Sequence, residues 1–107
     1  MSIHRVTLFK IPKEEDVDFL LDQYKILTKE ARKDGAPYIV SIVAGRPLPD
    51  ERTRGFTLVA KTTFRSLEDM RYYDSSCQAH ANFKKHVPSR REGEVVTVYF
   101  EDAIGAA

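Results

Sequence analysis

The feature that most constrains the fold is the order in which strand-like and helix-like hydrophobic patterns alternate along 107 residues. Two segments, one from Val17 to Ala31 and one from Leu67 to Val87, carry apolar residues at helical spacing. The segments with alternating apolar residues or β-branched runs are predicted strands. They are 3–10, 38–44, 56–64 and 95–100. The pattern therefore predicts the order β-α-β-β-α-β.

Local signals place the ends of the helices. Pro12 precedes three acids and predicts the start of the first helix, and Gly35 follows two basic residues and predicts its end. Ser66, with an acid three residues later, is a predicted capping box. Ser75, with a glutamine three residues later, is a second one, so the second helix should break near 74–75 and run on to about Val87.

This order is typical of an α+β, ferredoxin-like fold with a four-stranded antiparallel sheet, here predicted as one domain over 1–107 with its core at about 3–101. Two helices cover only one face of such a sheet. The strands nevertheless carry apolar residues of both parities, for example Val40 and Ile42 against Ile39 and Val43. A second copy is the simplest cover for the other face, so the sequence predicts a homodimer.

Composition excludes several classes of function. The 17 basic and 16 acidic residues nearly cancel, which argues against a nucleic-acid or membrane-surface partner. A single cysteine, Cys77, rules out an internal disulfide and fits a reducing compartment. No apolar run approaches the ~20 residues of a membrane span, and the N-terminus has no pattern of a secretion signal. We expect a cytoplasmic protein.

Two histidines carry the chemistry of the chain. His80 follows Met70, Tyr73 and Cys77 at helical spacing, so it shares the apolar stripe of the second helical segment. His4 alternates with apolar residues in the first strand. A histidine in such a stripe is either hydrogen-bonded inside the core or the polar tip of a ligand pocket. In the second case His80 would act as a general base and the Tyr73 hydroxyl would polarise a carbonyl.

The chain resembles the stress-responsive A/B barrel family, and most closely its fungal members, over roughly 3–101. The resemblance rests on the first strand from His4 to Lys10, on 56–68, and above all on Tyr-Tyr-Asp-Ser-Ser-Cys-Gln-Ala-His from Tyr72 to His80. For the fold, it implies a dimeric α+β barrel in which the sheets of two copies close on each other.

The plant polyketide cyclases of this fold are more distantly similar, and they imply a pocket between helices and sheet in which a histidine and a tyrosine work without a cofactor. By this resemblance His80 is the base, and His4 and Tyr24 line the pocket. The catalytic tyrosine falls six residues before the histidine, where this chain has Asp74, while Tyr73 lies seven before.

The other positions expected in the pocket differ in type from those of the cyclases. Leu58 replaces a third-strand histidine, and Cys77 with Gln78 replaces a His-Pro pair. We expect Leu58, Cys77 and Phe83 to line the pocket. Cys77 and His80 alone do not make a zinc site, so neither a metal nor another cofactor is predicted.

The sequence thus favours a homodimer that binds a small hydrophobic or phenolic molecule and acts, if it is an enzyme, as a cofactor-independent cyclase, lyase or isomerase. A non-catalytic stress-response or ligand-carrier dimer is the alternative. A haem-degrading monooxygenase of the same superfamily is a third, although the chain lacks the tryptophan that such enzymes often use. The basic run 84–86 either complements a helix end or attracts an anionic ligand. The charged loop 45–55 is either a lid or simply mobile.

Overall fold

The computed structural model describes residues 2–105 and has the predicted order of elements, with the second helix in two parts. The strands are β1 (Ile3–Phe9), β2 (Ile39–Gly45), β3 (Leu58–Phe64) and β4 (Val96–Glu101). The helices are α1 (Glu14–Glu30), α2 (Leu67–Ser75) and α3 (Gln78–Lys84), with a short 3-10 helix at Glu51–Thr53.

The strands form one antiparallel sheet in the order β2-β3-β1-β4, which confirms the predicted ferredoxin-like α+β fold. Ile3, Thr7 and Phe9 of β1 are buried on the face that carries the helices. They pair there with alternate residues of β3, from Phe64 to Leu58. The core lies between this face and the helices, so β1 in mid-sheet supplies side chains to its centre.

The end of α1 differs from the prediction, which placed it at Gly35. The helix ends at Glu30, and a β-bridge joins Lys33 to Ala36. Between them Asp34 and Gly35 have φ angles of 53° and 79°. An Asp-Gly pair favours a tight turn with two positive φ angles, and this turn replaces the last predicted helical turn.

At one of the two predicted capping boxes the helix cap itself is confirmed. Ser66 caps α2, since its hydroxyl accepts a hydrogen bond from the backbone N–H of Asp69 at 3.1 Å. The prediction for Ser75 was wrong. Its hydroxyl donates to the carbonyl of Arg71 four residues earlier, so Ser75 remains in α2. The helix breaks at Ser76, and Cys77 precedes α3 without a side-chain cap.

The sheet face turned away from the helices, which we call the outer face, is apolar and open. Its apolar residues are Val6, Leu8, Val43, Val59, Val96, Val98 and Phe100. Both edges of the face are open, with Val43 of β2 65% exposed and Val98 and Phe100 of β4 54% and 50% exposed. Lys61 of β3 lies on the same face, exposed between Val6 and Val43. An exposed face that is otherwise this apolar is typical of an interface between proteins.

Candidate functional site: a pocket between the sheet and the helices

A pocket of about 280 Å³ opens between β1, β4, α1 and α3. That volume is at the lower end of ligand sites, which are typically ~300–1,000 Å³. Its walls are mainly aromatic and aliphatic, and its polar groups gather where β1 meets α3. The lining residues are Arg5, Thr7, Phe9, Tyr24, His80, Phe83, Lys84, Val87, Pro88, Val95 and Thr97.

His80 is held in this pocket by contacts on one side of its ring. The imidazole stacks on the Tyr73 ring with 3.6 Å between ring centroids and 10° between planes. Its Nδ1 lies 2.8 Å from the backbone carbonyl oxygen of Tyr73, so in the neutral ring Nδ1 carries the proton that is donated. The lone pair is then on Nε2, which has no hydrogen-bond partner among residues 2–105.

Burial lowers the pKa of His80 from 6.5 to about 4, because the imidazolium ion loses its hydration there. The positive charges of Arg5 and Lys84 lower the pKa further. The Tyr73 carbonyl and the Asp74 carboxylate act in the opposite direction but are outweighed. His80 is therefore neutral at pH 7, with an unprotonated nitrogen available to a ligand.

Arg5 is the site residue that the sequence analysis missed. It shares the inner parity of β1 with Thr7, and only 11% of its side chain is exposed. Its guanidinium donates to the Thr7 hydroxyl at 3.0 Å and to the Asp74 carboxylate at 2.9 Å. Its Nε is buried without a partner. The available signal was parity, because Arg5 alternates with Ile3 and Thr7 rather than with His4.

Tyr24 and Phe83 form the aromatic wall of the pocket. Their ring centroids are 4.2 Å apart, and Phe9 packs edge-on against both rings. Burial is the main cause that raises the pKa of Tyr24. Its phenol is therefore a neutral hydrogen-bond donor at any physiological pH.

Comparison with known proteins identifies the family of the chain. Residues 3–101 match the stress responsive A/B barrel domain. The chain belongs to this family. A relative from Gibberella zeae, a fusaristatin A biosynthesis cluster protein, is 42% identical over 106 residues, which covers 98% of this chain and 77% of the relative.

Solved structures share the fold of this family member at low sequence identity. A hydroxynitrile lyase from Passiflora edulis is 17% identical, with a TM-score of 0.75 and coverage of 98% of this chain and 97% of the lyase. A dimeric ferredoxin-like protein of unknown function from Bacteroides fragilis is also 17% identical, with a TM-score of 0.70 and coverage of 94% and 96%. At this identity the two structures support the fold.

Three residues expected in the pocket of this family member lie in the core instead. Leu58, Tyr73 and Cys77 are each at most 2% exposed, and none of them lines the pocket. The Tyr73 ring lies between the rings of His80 and Phe64, with centroid distances of 3.6 and 5.2 Å. Tyr73 thus positions the His80 ring but does not itself line the pocket.

His4 lies on the outer face of the sheet, opposite the pocket. Its Nε2 is 2.6 Å from the Asp102 carboxylate, its Nδ1 is 3.5 Å from the Thr63 hydroxyl, and its ring stacks on Phe100. The structure therefore does not bring His4 and His80 together. The two histidines lie on opposite faces because His4 has the outer parity of β1, whereas His80 belongs to α3, which covers the inner face.

Two further features are absent from the part of the chain that the structure describes. Residues 2–105 contain no group of three His, Cys, Asp or Glu side chains that are arranged to hold a metal ion. No helix in that part of the chain is long and apolar enough to cross a membrane.

Proposed function

We propose that this chain forms a homodimer that binds a small aromatic or polyketide-like molecule in the His80 pocket and rearranges it by cofactor-independent acid–base chemistry. The observation that carries the proposal is the state of His80. Its ring is fixed through Nδ1 and through the Tyr73 stack, while His80 lines a mainly apolar pocket and its Nε2 has no hydrogen-bond partner among residues 2–105. A positioned, neutral imidazole in such a place is suited to removing a proton from a bound ligand.

The outer face supports the homodimer part of the proposal. Val43, Val98 and Phe100 are each half-exposed or more in one chain, and they belong to one continuous sheet surface. A second copy placed on this face would bury it, and the two sheets would close into a barrel. His4 and Asp102 lie beside Phe100, so this hydrogen-bonded pair would then be at the edge of the interface.

The proposed reaction begins with transfer of a carbon-bound or phenolic proton from the ligand to Nε2 of His80. In a cyclisation the electron pair left on the ligand bonds to a carbonyl carbon, and the π pair of that carbonyl moves to its oxygen. In an isomerisation the pair shifts to a neighbouring atom, and in an elimination it expels a leaving group. The proton on Nε2 then passes to the oxygen, carbon or leaving group that received the electron pair, which returns His80 to its neutral form. The Tyr24 hydroxyl donates a hydrogen bond to the oxygen on which negative charge develops. The Tyr73 carbonyl accepts from the imidazolium, and the Tyr73 ring stabilises it as a cation–π partner.

The relatives support the same class of chemistry. The Gibberella zeae relative is a biosynthesis cluster protein, and the Passiflora edulis neighbour of the same fold is a lyase. Both descriptions fit a fold that presents a small-molecule pocket.

A non-catalytic ligand carrier is the second candidate, and the His80 pKa of about 4 favours it. A base with such a low pKa accepts a proton from a phenol or a carbon acid at a high energetic cost. The enzyme requires that the bound ligand raise this pKa, which an anion formed beside the ring would do.

The test is native mass spectrometry of the protein after incubation with a metabolite extract of a polyketide-producing fungus. His80→Ala is measured beside it, and His86→Ala is the matched control, since His86 is outside the pocket lining. We expect the wild-type and control dimers to retain a small molecule, and on longer incubation to convert it to a product of equal mass or of a mass reduced by the leaving group.

The outcomes separate the two candidates. If His80→Ala retains the molecule but does not convert it, His80 is the base. If wild type and His80→Ala both retain it unchanged, the protein is a carrier. A dimer that stays empty in all three proteins contradicts the proposed pocket, and a monomeric protein contradicts the proposed assembly.

A further inference from the structure

The polar end of the His80 pocket has an excess of positive charge. Arg5 and Lys84 both line it, and among residues 2–105 the only carboxylate that contacts either of them there is that of Asp74, through Arg5. Lys84 reaches Asp74 through the backbone carbonyl, at 3.1 Å, rather than through the carboxylate. His80 is neutral, and the remaining lining residues are apolar or hydroxyl-bearing. The two cations Arg5 and Lys84 thus face a single carboxylate, and the site has a net charge of about +1.

Arg5 is also incompletely paired for a cation at this depth. Its guanidinium offers five N–H donors, and it uses them on one hydroxyl and one carboxylate, the latter 45% exposed. Nε is buried and has no partner. A buried cation with an unpaired donor is costly to the fold, since a leucine or methionine of similar volume would fill the same place without the desolvation penalty. Because Arg5 lies in a ligand-sized pocket, a ligand is the group that would complete its hydrogen bonds and offset this penalty.

We propose that Arg5, assisted by Lys84, selects ligands that carry a carboxylate, so that the substrate class of this pocket is a small aromatic carboxylic acid. This inference rests on the proposed function of the same pocket. A planar guanidinium matches a carboxylate in a two-pronged hydrogen bond, and its effect is large where water is excluded. The ring of the ligand then packs on Tyr24 and Phe83, the aromatic residues of the same lining.

This arrangement gives Asp74 a second role. In the absence of a ligand its carboxylate neutralises Arg5, at 2.9 Å, and it lies 3.9 Å from Nδ1 of His80. A bound carboxylate competes with Asp74 for the guanidinium. Removing the charge of Asp74 should therefore strengthen the binding of an acid, whereas removing that of Arg5 should weaken it.

The experiment measures binding by isothermal titration calorimetry with matched acids and neutral amides. The probes are benzoate with benzamide, salicylate with salicylamide, and 1-naphthoate with 1-naphthamide. They are titrated into the wild-type protein, Arg5→Met, Arg5→Lys and Asp74→Asn. Arg65→Met is the matched control, because Arg65 is an exposed arginine that does not line the pocket.

We expect wild type and Arg65→Met to bind at least one acid about ten- to a hundredfold more tightly than its amide, the range of a charged hydrogen-bonded pair. Arg5→Met should remove this preference while leaving amide binding unchanged, Arg5→Lys should retain part of it, and Asp74→Asn should increase it. Added salt should weaken only the acids.

Acids and amides that bind wild type equally well would overturn the carboxylate inference and leave the proposed pocket intact. Failure of all six probes to bind wild type below 10 mM, the highest concentration titrated, would overturn both. The comparison of acid with amide in the wild-type protein requires no variant, so the inference remains testable even if Arg5→Met does not fold.

Discussion

The burial of His80 makes a quantitative prediction about stability at acid pH. An imidazole whose pKa is about 4 in the native protein and 6.5 in the unfolded chain binds protons more readily when unfolded. Between these two pH values unfolding takes up a proton, so the free energy of unfolding falls as the pH falls. The difference in pKa corresponds to about 3 kcal/mol, because one pKa unit is worth about 1.4 kcal/mol.

The sign and the window follow from which form is buried. Above pH 6.5 the imidazole is neutral in both the native and the unfolded state, so its titration does not change the free energy of unfolding. Below pH 4 it is protonated in both, and the full ~3 kcal/mol is lost. Arg5 of β1 and Lys84 of α3 favour this loss, while Asp74 of α2 opposes it. The uncharged Tyr24 of α1 completes the groups that surround the pocket.

His80→Asn isolates the effect, because an asparagine amide can donate to the Tyr73 carbonyl but has no titration in this range. Urea unfolding of wild type and variant is followed by far-UV circular dichroism from pH 4 to pH 7.5 at one fixed protomer concentration, since the stability of a dimer depends on concentration. Carboxyl groups titrate equally in both proteins and cancel in the difference between the two unfolding free energies.

We expect the free energy of unfolding of wild type to fall by about 3 kcal/mol relative to that of His80→Asn as the pH falls from 7 to 4. The imidazole carbon-bound proton of His80, assigned in NMR spectra by its absence from His80→Asn, should titrate near pH 4. A difference that stays constant with pH, together with an imidazole that titrates at 6.5 or above, would refute the reasoning from burial.

Three further predictions concern other parts of the molecule. Ser66→Ala should lower the free energy of unfolding, measured in urea, by about 1 kcal/mol because it removes a helix cap. Ser75→Ala should change that free energy much less, because it removes only a hydroxyl that is bonded within its own helix. Val98→Lys should convert the dimer to a monomer by light scattering, and Val98→Ile should not; a Val98→Lys dimer would move the interface off the outer face. Tyr73→Phe should leave the rate of ligand conversion within about threefold of wild type, since it keeps the ring that stacks on His80; a loss of activity as large as that of His80→Ala would restore a catalytic role to the hydroxyl.

The order of elements along the chain and the position of the second helix could be predicted because each depends on local periodicity. The alternation of Ile3, Thr7 and Phe9 with His4 and Val6 fixes the two faces of β1, and Ser66 marks the start of α2. The end of α1 and the break between α2 and α3 were placed less well. At both points a local hydrogen bond or turn competes with a helical pattern, and the sequence signals of the two alternatives overlap.

The site was predicted only where the periodicity of one element was sufficient. Tyr24, His80 and Phe83 line the pocket, because helical spacing indicates which side of a helix faces the sheet. Tyr73 and Cys77 share the same stripe as His80, yet they lie too deep to reach the cavity. Periodicity gives the direction of a side chain but not the depth of the core beneath it, so the wall of a cavity cannot be told from the packing behind it.

The two neighbours His4 and Arg5 show why residue chemistry alone misplaced part of the site. Histidine is the side chain most associated with catalysis, so His4 was assigned to the pocket although its parity is that of Val6 and Leu8. Arginine in a strand suggests a solvated position, so Arg5 was overlooked although its parity is that of Thr7 and Phe9. In a strand, a shift of one residue moves a side chain to the opposite face of the sheet. Parity therefore outweighs residue type, and it places a cation in the pocket and a histidine at the expected dimer interface.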